Sequence, residues 1–165
     1  MDFKQTIGLI EESKDFREFI SKNPHYYLVH VFTTKETDDY GVWQIGYYSK
    51  DTDKIVVFEE HDELINVHPP ADALKKEEYI QPLDITKVNI SRDNAVEIYE
   101  ELLKDNYSKE LLSKSIILLQ NLPEYGQVWN ITLVTLALNV INIKIDANTS
   151  QVLKHEKQNL MNWKA

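Results

Sequence analysis

Two tryptophan hairpins constrain this chain more than any other feature. The first reads Tyr40-Gly41-Val42-Trp43-Gln44-Ile45, and the second Tyr125-Gly126-Gln127-Val128-Trp129-Asn130-Ile131. Each sets a large ring on an alternating strand just after a tight turn, so each needs an apolar layer against one side of a sheet. Both lead to a polar, threonine-bearing turn, Asp51-Thr52-Asp53 and Asp146-Ala147-Asn148-Thr149, and both follow a segment of helical periodicity. The same order met twice indicates a duplicated unit of one helix and three strands. We expect a single compact domain over residues 1–165, built of half-repeats 1–65 and 82–155 joined by a connection over 66–81.

Periodicity fills in the elements. Phe3, Ile7 and Ile10, then Leu9, Phe16, Phe19 and Ile20, recur at helical spacing, with Ser13 placed to cap a second short helix and Asn23-Pro24 to end it. Strand patterns follow over 26–32, 42–48 and 54–58. A polar stretch over 59–87, punctuated by Pro69, Pro70 and Pro82, separates the halves. Ser91 is a good N-cap for a helix over 91–105, whose stripe is Ala95, Ile98, Tyr99, Leu102 and Leu103. Residues 108–119 read as a short helical turn followed by a strand from Lys114. Further strands are expected over 128–135, 140–146 and 151–155, with Leu160, Met161 and Trp163 packed back onto the body. The fold class is α+β: helices packed on curved, open antiparallel sheets, two in number, with the hairpin over 42–58 at an exposed edge.

The second half resembles the PepSY module, named from peptidase propeptides. The resemblance rests on Ile90-Ser91, Ala95 and Ile98 in the helix, on Trp129-Asn130-Ile131, on the turn Ile145-Asp146-Ala147-Asn148-Thr149-Ser150, and on Val152-Leu153. It covers about 82–155, and Ser150 stands where the family usually has glycine. The resemblance implies a PepSY/cystatin-like fold and a non-catalytic role, inhibiting or modulating a protease or another protein that acts in trans. The first half matches only through its tryptophan hairpin.

Composition narrows function by exclusion. The net charge is −9 and the pI about 5.0, so phosphate backbones and anionic membranes are repelled. The chain has no cysteine, which removes disulfides, thiolate metal sites and cysteine nucleophiles. Its start carries no basic, then apolar, secretion pattern, and no segment reads as a membrane span, so the expectation is a cytoplasmic protein with no membrane partner. Four Asn-x-Ser/Thr triplets, at Asn89, Asn106, Asn130 and Asn148, are read as chance in that setting.

We find no phosphate-binding glycine loop, nucleophile elbow or metalloprotease signature. The acidic run Glu59-Glu60-His61-Asp62-Glu63, with His68 nearby, matches no metal spacing and reads as solvated surface. His30 shares a strand face with Leu28 and Phe32 and reads as a sheet histidine. No catalytic, cofactor-binding or metal-binding residue is therefore assigned, and no enzyme activity is expected. The aromatic crowd Tyr40, Trp43, Tyr47 and Tyr48 is the candidate interaction surface, because amphipathic rings favour binding. The expected function is a protein-binding module, monomer or homodimer. The alternative is a carrier with an aromatic-lined pocket between sheet and helices.

Overall fold

A computed structural model describes residues 1–75 and 78–162. Trp163 lies outside them. The helices form where caps and apolar stripes coincide. Asp2 caps α1 (Phe3–Glu12) through a reciprocal box: its carboxylate accepts from the Gln5 amide at 3.0 Å, and the Gln5 side chain accepts from the Asp2 amide at 3.1 Å. Ser13 ends α1 and caps α2 (Lys14–Lys22), its hydroxyl accepting from the Phe16 amide at 3.1 Å. Ser91 caps α3 (Arg92–Asn106) in the same way through the Asn94 amide.

The strands are β1 (Tyr27–Glu36), β2 (Asp39–Tyr40), β3 (Gln44–Ser49), β4 (Lys54–His61), β5 (Leu64–Val67), β6 (Ala71–Asp72), β7 (Leu112–Leu122), β8 (Gly126–Thr135), β9 (Asn139–Asp146) and β10 (Val152–Asn159). All pair antiparallel in one sheet, ordered β10-β9-β8-β7-β1-β3-β4-β5, with β2 beside β1 and β6 beside β4. The expectation of two sheets is thus corrected. The first strand after α2 and the first after α3 zip together, from His30 opposite Gln120 to Lys35 opposite Ser115. This β1–β7 seam joins the halves. The hairpin over 42–58 is no edge either, because β3 lies between β1 and β4, and β4 carries β5 and β6. The edges are β5 and β10. Other departures are local: β7 starts at Leu112, where a helical turn was expected, and β10 runs on to Asn159.

Register decides the faces. One row crosses six strands as Ile145, Trp129, Leu119, Val31, Ile45 and Phe58. It forms the core with Phe3, Ile7 and Ile10 of α1, Phe16 of α2 and Ala95, Val96 and Tyr99 of α3. All three helices therefore cover one face. Phe3 packs edge-on against both Trp43 and Trp129, with centroids 6.0 and 5.7 Å away. The Trp129 indole also donates to the Ile90 carbonyl at 2.9 Å, tying the strand to the entry of α3. Tyr99 and Ser115 share a buried hydroxyl–hydroxyl hydrogen bond at 3.1 Å, so neither is stranded in the core.

Turn chemistry holds the strand ends. The Asp146 carboxylate accepts from the amides of Asn148 and Thr149, both at 2.8 Å, and these bonds hold it ionised against the opposing pull of burial. Ser150, where glycine was the usual residue, adopts a left-handed φ of 68°. The serine side chain carries the strain of that conformation. Among the described residues, no helix is long and apolar enough to cross a membrane.

Candidate functional site

The four candidate aromatics do not form one surface. Tyr47 and Tyr48 are adjacent on β3, so they point to opposite faces. Tyr47 joins the core under α1 and α2, where its hydroxyl donates to Glu11 at 2.9 Å. Burial, then the Glu11 charge, holds it protonated well above the usual tyrosine range. Tyr48 faces the other side and donates to Asp53 at 2.6 Å in the β3–β4 turn, and burial followed by that bond raises its pKa too. The same bond, chiefly, lowers the pKa of Asp53. With Trp43, both tyrosines are buried. Only Tyr40 of the four reaches solvent, half-exposed. Sequence placed these rings together; the helix layer takes Trp43 and Tyr47 inside, while Tyr48 is buried on the opposite face against Tyr27.

Tyr40 and Trp43 do meet, through a residue that sequence reading passed over. Arg92, at the first position of α3, lays its guanidinium over the Tyr40 ring at 3.6 Å and beside Trp43 at 5.1 Å. Burial raises the Tyr40 pKa, opposed by the Arg92 charge. Lys4 donates to the Val88 carbonyl at 2.8 Å, and Trp43 donates to the Met1 carbonyl at 3.2 Å. Lys4, Trp43, Val88 and Arg92 line a cleft of about 210 Å³ between the starts of α1 and α3. Both helix starts are already capped by Asp2 and Ser91, and Arg92 is paired with Asp93 at 3.0 Å. The cleft is a joint between two capped helix starts.

The acidic run also disperses. His61 pairs with Asp62 at 3.2 Å in the β4–β5 turn, while His68 lies 3.2 Å from Glu59 beyond β5. No three metal-capable side chains converge among the described residues. His30 sits on the face opposite the helices, packed so tightly on Gly46 that a Cβ there would lie 2.3 Å from its ring. Burial pushes its pKa down to about 4, so it is neutral at physiological pH. His155 is exposed and bonded to the Tyr107 hydroxyl at 2.7 Å.

That opposite face is the largest feature left. Its central row runs Lys144, Asn130, Leu118, Phe32, Gln44 and Glu59, and the next row Glu156, Asn142, Thr132, Ile116 and Thr34. Phe32, Leu118, Ile116 and Val57 are half-buried there, with the imidazole of His30 beside them. Polar side chains flank them and bond to one another: Asn142 donates to Asn130 at 2.8 Å, and Gln44 to Glu59 at 2.7 Å. The described residues of the connection over 59–87 cover one corner, where the Tyr27 hydroxyl donates to the Ile80 carbonyl at 2.6 Å and Lys50 stacks over Tyr79. No helix lies on the rest among the described residues. The sequence signal for this face was the alternation of β1 and β7, which fixes two faces without saying which one the helices take.

No family model and no curated protein matches the sequence. Among solved structures, the chain is similar to a putative lipoprotein from Clostridium difficile 630, at 16% identity over 87% of this chain and 90% of that one, with a TM-score of 0.53. At that identity the likeness shows the fold alone.

Proposed function

We propose that this protein is a non-catalytic interaction module that meets a protein partner through the open face of its sheet. One observation carries the reading. All three helices lie on one face, leaving the other with an apolar centre of Phe32, Leu118 and Ile116 inside a rim of Asn, Gln, Thr and charged side chains. An apolar centre with a polar rim is the general anatomy of a protein interface. The carrier alternative has less support, because the cleft of about 210 Å³ falls below the roughly 300–1,000 Å³ of small-molecule sites, and the larger hollow of about 540 Å³ is an open groove along α1, lined by Met1, Gln5, Gly8, Leu9 and Glu12 rather than by the sheet.

We infer also that the chain is PepSY-like and internally duplicated. The separation that carries Trp43 onto Trp129 also carries Val31 onto Ile117, Thr33 onto Leu119 and Phe32 onto Leu118. These pairs flank the β1–β7 seam, as a local two-fold relation between two copies requires. The partner class that goes with this reading is a protease or another protein that it modulates. Phe32→Lys tests the surface: wild type retains a discrete host protein on a column, and the variant, with an unchanged unfolding midpoint, loses it. If the variant retains the same protein, the open face is not the contact.

A further inference from the structure

One end of the sheet gathers apolar side chains where turns elsewhere in this chain are polar. The β8–β9 connection is Thr135-Leu136-Ala137-Leu138-Asn139, and Leu136, Ala137 and Leu138 are all exposed. Leu136 is 65% exposed and Leu138 56%. Leu138 also has a φ of 61°, a left-handed position that favours glycine or asparagine. Leu111, 67% exposed, is held alongside by a bond from the Leu136 amide to its carbonyl at 2.8 Å. Leu160 and Met161 are brought in by a bond from the Leu160 amide to the Leu138 carbonyl, also 2.8 Å. Met161 is 88% exposed. Three segments distant in sequence thus present five large apolar side chains at one tip. The charges on these segments are few: Glu110 pairs with Lys157 at 3.0 Å, and Lys109 is beside it. A run of exposed apolar turn residues harms solubility, and such patches mark contact sites.

We propose that this tip inserts into the interfacial layer of a lipid bilayer. Five side chains offer on the order of a few hundred Å², against the roughly 800 Å² per partner of a stable protein interface. A protein would not be held by this patch alone. The patch is also a set of protruding turns, and protruding leucines enter a soft surface without a matching contour. Shallow burial of a few apolar side chains is how peripheral proteins hold such a surface. The net charge of −9 disfavours anionic lipid, so the attraction is apolar and the surface zwitterionic. The tip stands at strand ends, away from the centre of the open face, and does not depend on the reading given to that face.

Sedimentation of the full chain with phosphatidylcholine vesicles tests this. Wild type cosediments, and the double variant Leu136→Asp, Leu138→Asn partitions at least about tenfold less. Asparagine suits the left-handed backbone, so the double variant keeps its fold, checked by its thermal midpoint. Leu74→Asp, at a side chain 98% exposed elsewhere, leaves partition unchanged. Absence of wild-type cosedimentation, an equal loss with Leu74→Asp, or binding that requires anionic lipid overturns the proposal. So does a wild-type dimer that the double variant dissolves, which would assign the tip to a second copy.

Discussion

Replacing Trp129 with alanine is expected to cost this protein about 3–5 kcal/mol of folding stability. The ring has no solvent exposure, so truncation leaves a cavity that its rigid neighbours, Leu119 on β7 and Ile145 on β9, cannot refill. It also removes the indole donor from the Ile90 carbonyl, leaving a half-buried acceptor unpaired at the entry to α3, and it takes away one of the two rings that hold Phe3. Urea unfolding measures the effect as a lower midpoint at unchanged slope. Trp43→Ala is expected to cost less, because that ring is 7% exposed beside the cleft. A near-neutral Trp129→Ala would mean that the core does not close over β8 as described.

A second large effect is expected at Gly46, where the cause is contact rather than cavity. An alanine methyl would sit 2.3 to 2.7 Å from three atoms of the His30 ring. Gly46→Ala is therefore expected to cost about 1–3 kcal/mol, the usual range for overpacking. In a His30→Ala background the obstruction is gone. There the same change is expected to be neutral or to stabilise by up to about 1 kcal/mol, since glycine in a strand carries an entropic penalty. The double-mutant cycle isolates the coupling. Equal costs in both backgrounds would place the strain somewhere other than the imidazole.

The helices and most of the long strands were legible because each has a local cause, whereas β5 and β6, inside the stretch read as a polar connection, were not. Ser13 and Ser91 cap helices where the sequence puts a hydroxyl before an apolar stripe, and the Trp43 and Trp129 strands announce themselves by alternation. What sequence could not give was the β1–β7 seam. Val31 and Leu119 are far apart in the chain, and nothing in either strand's own pattern names its neighbour. Without the seam, two sheets and an open hairpin edge followed naturally. The aromatic cluster was misread for a simpler reason. Tyr47 and Tyr48 are neighbours on one strand, and a pleat cannot give neighbours a common surface. Arg92 was passed over because a first-turn arginine reads as solvated until the fold sets Tyr40 and Trp43 beneath it. The Leu136-Ala137-Leu138 turn departs from ordinary turn chemistry, and that signal went unused in the sequence.

If the open face is the working surface, a photoreactive phenylalanine analogue placed at Phe32 reports it most directly. With the host partner bound and light applied, the account predicts a covalent adduct from position 32. It predicts none from the same analogue at Leu9, an exposed α1 residue on the helix side. An adduct from position 9, with position 32 silent, would contradict the account and move recognition to the helices.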